Sequence, residues 1–440
     1  MRINLYLALL FAPFFTAAQT PILTITGSNT VGATLAPECA ISYLTTILGA
    51  STAARINTPI ANEFIIAGDN NQHISFRAHG SSTGFKDLLA RKTDIAMASR
   101  PIKTAEYNRL VPQGDLRSAS AENAIAIDGL AVIVNKHNPI TRLTLDQLSN
   151  IFTGKIRNWQ ELGGRNHAIN LYARDNNSGT WDTFKSLVLK KIPLANRAER
   201  FESNDVLSSR ISADIHGIGF TSLASVGTNQ TLAIADENTA FLSPSLLNVA
   251  SEDYLLSRRL YMYVPPLNDN RYAQDFINHC QSETGQDIVQ TIGFVSQNIV
   301  ALRPEPTTQA PAEYQKLAAS AKRLSVNFRF THSSAELDNK AKRDLLRLAN
   351  YYQHNSSTVD IILVGFSDTK SRASTAKILS KLRALAVKNA LREEGIKVVN
   401  SLALGADMPV SANGHSSSVA KNGRVEVWVK PRFQKILSAR

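Results

Sequence analysis

Three short segments carry residue types suited to holding an anion: Gly27-Ser28-Asn29-Thr30, Gly80-Ser81-Ser82-Thr83-Gly84 and Ser178-Gly179-Thr180. In each, hydroxyl and glycine residues stand where a strand-like run gives way to a helix-like one. A helix that begins there points unpaired backbone N–H groups, a partial positive charge and a Ser or Thr hydroxyl at one spot, which suits an oxyanion. Glycine lets the backbone come close to the ligand. One such loop alone serves equally well as a helix cap. Three in one unit, with Arg174 four residues ahead of Ser178, point to a cradle. Dehydrating a small tetrahedral anion is costly, so fixed donors in a closing cleft must replace the water. Arg174 adds the bidentate charge-assisted contact that a lysine does not reproduce. No nucleophile motif places a base beside these serines, and the nine histidines show no metal spacing. Binding is therefore expected, with no catalytic residue, metal or cofactor.

The elements that must position these residues follow from periodicity. Before residue 302, apolar runs (ILTIT, DIAMAS, GLAVIVN, INLYA, YMYVP) alternate with amphipathic stretches such as residues 34–48 and 181–191. That alternation predicts an α/β architecture with helices on mostly parallel sheets. Phe152 and Trp159 are expected to be packing residues. The stretch LRPEPTTQAP, residues 302–311, has three prolines and no apolar period, and predicts an extended linker. Beyond it, NFRF, residues 339–352, DIILVGF, residues 375–394, SLALG and RVEVWV predict a small β-α-β-α-β-β unit.

At the start, Arg2 precedes an apolar run over residues 5–15 and the small residues Thr16, Ala17 and Ala18, the pattern of a secretory signal cleaved after Ala18. The net charge of +12 is concentrated at the other end: residues 316–440 hold 22 Lys and Arg against 9 Asp and Glu. This is either a solvated basic face or an attraction to anionic envelope polymers. The chain lacks the interleaved aromatic and basic pattern of a nucleic-acid partner. The two cysteines, Cys39 and Cys280, are either a disulfide in an oxidising compartment or small buried hydrophobes.

The ordered motifs GSNTV, GSSTGFKDLLARKTDIAMASRPI, IDGLAVIVNKHNPI, LTLDQLSNIFTGKIRNWQELGG, ARDNNSGTWDTF and LSRRLYMYV resemble phosphate-binding proteins of the PstS type across most of residues 21–300. The resemblance implies a two-lobed, type II periplasmic-binding-protein fold that closes on inorganic phosphate or a related oxyanion, with an ABC transporter permease as a further partner. Matched by motif, Ser28, Asn29, Thr30, Ser81, Ser82, Thr83, Arg174, Ser178, Gly179 and Thr180 would line the anion. Where some members carry an acid that accepts the proton of hydrogen phosphate, this chain has Ser99 and Arg100. Asp128 and Asp175 are the candidates left for that role. Arg100 is either a second anion contact or a surface ion pair.

From about residue 324 the motifs FRFTHSSAELDNKAKRDLLRLANYY, IILVGFSDTKSR, LSKLRALAVKNALREEGI, LALGADMPV and NGRVEVWV resemble the OmpA-like domain. That implies peptidoglycan binding, with Asp368 and Arg383 gripping diaminopimelate and Arg424 as a second contact. A carbon bearing an ammonium and a carboxylate does require one acid and one guanidinium at fixed separation; an intramolecular bridge between the two is the alternative. Ser371 and Ala376 replace the glycine and asparagine usual in that motif. The expected division is a signal peptide (1–18), a two-lobed binding domain (19–301), a linker (302–323) and a small α+β domain (324–440). The expected function is a phosphate-binding protein tethered to peptidoglycan, in the periplasm or at the outer membrane of a Gram-negative cell. The competing reading is a structural or adhesive envelope protein that keeps the fold without the transport role.

Overall fold

The computed structural model describes residues 20–176, 178–305, 310–330, 334–368, 372–412 and 421–432; the expected signal peptide lies outside them. The first strand, Leu23–Gly27, is flanked by parallel partners His73–Arg77 and Ile95–Ala98. Its inward residues Leu23 and Ile25 join Phe64, Phe76, Met97, Met262 and Phe276 in the core of a first lobe. A second core collects Leu171, Phe184, Ile218 and Phe220, together with Phe152 and Trp159. Trp159 anchors its indole N–H on the His216 carbonyl at 2.9 Å. Both aromatics are packing residues, as their sequence context suggested.

One strand joins the lobes. Glu122–Val134, sequence ENAIAIDGLAVIV, is apolar almost throughout and buried along nearly its whole length. Its first part pairs antiparallel with Ser257–Tyr263 of the first lobe, and its last five residues pair antiparallel with Gly217–Ser222 of the second. A 13-residue strand with no polar alternation must be covered on both faces, and here two successive cores cover it. The sheet is consequently mixed rather than mostly parallel. Alternation of strands and helices predicts parallel pairing within each lobe, whereas the chain's passage between lobes puts antiparallel strands at the hinge, and Ala53–Asn57, Glu63–Gly68 and His73–Arg77 form an antiparallel edge within the first lobe.

The C-terminal unit follows the predicted order closely. Strands Lys322–Arg329, Arg424–Pro431, Val359–Gly365 and Val398–Ala403 lie side by side in that spatial order, with helices Asn339–Asn355 and Ala373–Glu393 between them in sequence. Leu324, Phe328, Leu363, Val387 and Val427 form its core. The segment expected as a linker is largely built into this unit. Ala301–Leu302 adds an edge strand to Lys322–Arg329, and Ala312–Ser320 is a helix whose Tyr314 and Leu317 pack with Phe366 and Trp428. Residues 306–309, in the proline-rich stretch between these two pieces, lie outside the described residues.

The C-terminal unit docks on the hinge through buried charge. Glu252 and Asp253, just after the helix Leu246–Ala250, enter a cluster of cations. Asp253 pairs with Arg323 at 2.6 Å, Arg329 at 3.1 Å and Arg424 at 3.6 Å. Glu252 pairs with Arg259 and Arg329, and Arg259 reaches Asp338 at 2.9 Å. Burial alone would raise the Asp253 carboxyl; Arg323, Arg424 and Arg329 outweigh it and hold the group well below the usual carboxylate range. Lys421 donates to the carbonyls of Glu252 and Tyr254 and to Ser257 Oγ. Its burial pulls the ammonium down to about 8.

Candidate functional site

The first loop leaves the Leu23–Gly27 strand and enters a helical turn at Asn29, with Ser28 and Thr30 almost wholly buried. The third follows the strand Asn170–Arg174; Ser178 is the N-cap of Gly179–Phe184 and accepts from Trp181 N at 3.3 Å. These two loops belong to different lobes, yet they touch. A Cβ placed on Gly179 would stand 2.2 Å from Thr30 Oγ1, far inside any tolerated contact. Only glycine permits that approach. Around the contact lies a cleft of about 390 Å³ lined by Asn29, Thr30, Asp128, Arg174, Ser178, Gly179 and Thr180, among others.

One residue fastens the closed lobes: Arg258. From the strand Ser257–Tyr263 its guanidinium donates to Thr30 Oγ1 at 3.0 Å, to the Gly179 carbonyl at 2.8 Å and to Asp128 Oδ2 at 3.2 Å. Asp128 also accepts from Thr183 Oγ1 at 3.0 Å. Burial lowers the Arg258 pKa and Asp128 opposes that shift. Sequence reasoning missed Arg258. The available signal was two adjacent arginines inside a strand, which must point to opposite faces.

Arg174 lines the same cleft and is 9% exposed. It donates from Nε to the Phe201 carbonyl at 3.2 Å, and also to Asn204 Oδ1 and the Glu202 carbonyl. Three of its five N–H groups are so occupied. All three acceptors are formally neutral, so the positive charge stays uncompensated by these bonds. Desolvation lowers its pKa, with Asp175, Glu202 and Asp205 acting against it; the guanidinium stays charged.

The second loop is placed differently. Gly80 N donates to the Gly27 carbonyl at 2.7 Å, so it leans on the first loop, but Ser81, Ser82 and Thr83 are not among the residues lining the cleft. Ser81 Oγ instead accepts from Ser99 N at 3.1 Å. Arg100 is committed to Glu106, which takes both of its terminal nitrogens at 2.8 and 2.7 Å, and it also donates to Ser82 Oγ. Of the two sequence readings for Arg100, the geometry is that of the ion pair. Burial would raise Glu106, but the Arg100 hydrogen bonds hold it below its ordinary value. Cys39 and Cys280 meet in the first-lobe core as free thiols; burial and the hydrogen bond with Cys39 push the Cys280 thiol well up.

In the C-terminal unit Asp368 and Arg383 do come together, at 3.3 Å, and both are almost fully buried. Arg383 also donates to the carbonyls of Ser334 and Phe366. A Cβ on Gly423 would sit 2.5 Å from Arg383 Nη1, so the glycine opens the space the guanidinium fills. Ala376, at the start of the helix, is buried and its carbonyl accepts from Ser367 Oγ. Ser371 lies outside the described residues. Arg424, expected as a second wall contact, is engaged within the fold. It is 2% exposed, stacked over Phe366 at 3.9 Å and bonded to Glu426. A strand-end arginine looks solvent-directed in sequence; here the docked hinge covers it.

Comparison with known proteins places both parts of the chain in families. Residues 24–284 match the PBP superfamily domain and residues 329–423 match the OmpA family. The phosphate-binding protein PstS of Borreliella burgdorferi is 30% identical over 260 residues, spanning 56% of this chain and 88% of that protein. Protein SphX of Synechococcus elongatus is 30% identical over 264 residues, 57% of this chain and 77% of its own. In fold alone, a possible phosphate binding protein from Planctomyces limnophilus is similar with a TM-score of 0.50 at 22% identity, covering 62% of this chain and 92% of that one.

Proposed function

We propose, since the chain belongs to the PBP superfamily and carries an OmpA family domain, that it captures inorganic phosphate or a closely related oxyanion between its lobes while held at the cell envelope through peptidoglycan. One observation carries the anion reading: helix starts from two lobes converge at Thr30 and Gly179 beside a guanidinium, Arg174, whose hydrogen-bond acceptors are neutral. The relatives named for phosphate binding support the choice of anion. Asn29, Thr30, Arg174, Ser178, Gly179 and Thr180 are the proposed contacts, and Arg258 the latch between lobes. Ser28 lies within the first loop, and Ser81, Ser82 and Thr83 belong to the second, whose Gly80 N donates to the Gly27 carbonyl.

The role is binding for uptake or sensing rather than catalysis, with an ABC permease as the partner for uptake. Asp368 and Arg383 are the proposed grip on diaminopimelate, whose carboxylate and ammonium would exchange with their mutual bridge. Titration calorimetry of the full chain with phosphate and with sulfate tests the anion claim. Phosphate should bind, and Arg174→Ala should lower the affinity roughly 10- to 100-fold, the worth of one or two charge-assisted hydrogen bonds. A structural envelope role draws support from the internal bonds of Arg174. It would prevail if neither anion gave heat.

A further inference from the structure

The outward side of the helix Ala373–Glu393 bears an apolar stripe that none of the described residues covers. Ile378 is 61% exposed, Leu382 50% and Leu385 48%. Their spacing of four and three residues sets them on one line along the axis. Single exposed leucines are ordinary, but three aligned on one helix form a patch. Beside the stripe, at neighbouring helical angles, run the exposed cations Lys377, Lys381, Lys388 and Arg392. Residues 373–392 contain no Asp or Glu. The opposite side of the helix packs inward through Ala376, Ser380, Arg383, Ala384, Val387 and Leu391, so the stripe is not part of the domain core.

We infer that this face docks on an anionic phospholipid surface, with Ile378, Leu382 and Leu385 entering the headgroup boundary and the four cations meeting lipid phosphates. Apolar side chains flanked by lysines on a helix lying flat have the make-up of an interfacial element, and lysine stems reach past the apolar row to place their ammonium groups in the headgroup layer. Charge decides between possible occupants. Twofold pairing with a second copy would set identical cation rows against each other with a single carboxylate of the helix, Glu393 at its last residue, to offset four cations, whereas an anionic membrane complements them directly. The helix would then divide its roles around its axis, Arg383 on the inner side and lipid on the outer.

The test is co-sedimentation of the chain from Gln19 onward with vesicles of phosphatidylglycerol and phosphatidylcholine, compared with phosphatidylcholine alone. Binding is expected only to the anionic vesicles and should weaken with added salt. The triple variant Ile378→Ser, Leu382→Ser, Leu385→Ser and, separately, Lys377→Gln with Lys381→Gln and Lys388→Gln should each lower partitioning roughly tenfold or more. Circular dichroism melts would show that both variants remain folded. The inference is overturned if the parent chain ignores anionic vesicles, or if both folded variants bind them as the parent does. Self-association of the parent in sedimentation equilibrium, abolished by the triple variant, would assign the stripe to a second copy instead. Vesicle binding that appears only after truncation at Arg432 would assign it to residues 433–440.

Discussion

The interlobe cleft and the interface between the hinge and the C-terminal domain are both built on buried arginines, and the two differ in what those arginines touch. In the cleft, Arg174 meets only carbonyls and an amide oxygen, and Arg258 shares one carboxylate with a hydroxyl and a carbonyl. At the interface, Arg259, Arg323, Arg329 and Arg424 all face carboxylates: Glu252, Asp253, Asp338 and Glu426. Neutral acceptors satisfy the Arg174 hydrogen bonds without a direct ion pair, while Asp175, Glu202 and Asp205 act on its charge only from a distance. Carboxylates in direct contact cancel the charge and leave a joint. Acceptor type, more than arginine itself, separates a receptor from a fastening.

The comparison can be broken most severely at the joint. Asp253→Ala would strand Arg323, Arg329 and Arg424 in a buried site and should cost about 3–5 kcal/mol, read as a lowered urea midpoint with a separate transition for the C-terminal domain. A loss under about 1 kcal/mol would show that the cluster is not what holds the two together. Acid should loosen the same joint by titration. The Glu252 and Asp253 carboxyls sit below their unfolded values, so their contribution is fully present above the ordinary carboxylate range and lost as pH falls through it toward the folded values. Lys421 adds a slope of the same sign at higher pH. Its folded value of about 8 lies below its ordinary 10.5, so stability should rise with pH between the two, which denaturation at pH 7.5 and 9.5 would reveal.

Smaller effects are expected in the cleft. Gly179→Ala should weaken anion binding about tenfold by holding the lobes apart at Thr30, with little change in unfolding. Arg100→Ala, outside the cleft, should leave phosphate affinity within about threefold, since its guanidinium is committed to a half-buried ion pair with Glu106. A large loss in calorimetry there would place Arg100 back among the anion contacts.

Local chemistry was legible and long-range burial was not. Glycine and hydroxyl residues at a strand-to-helix change mark the first and third loops because helix starts have fixed unmet needs, and the six C-terminal elements follow from periodicity. Asp368 and Arg383 were brought together because a loop and the helix after it are close neighbours in sequence. Arg258 and Arg259 carry the same label in sequence, while only the crossing of two lobes decides that one faces the cleft and the other the joint. The helix Ala312–Ser320 was misplaced for the same reason: it is covered by segments distant along the chain.

The joint also straddles the clamp it sits on. Arg343 donates to Asn123 and to the Ala119 carbonyl on the first lobe, while Ala412 N donates to Asp236 on the second. A domain bolted across both jaws behaves as a bracket and not as a cord. Whatever grips the bracket thereby also fixes which way the mouth faces, and any parting of the jaws must slide against that mount.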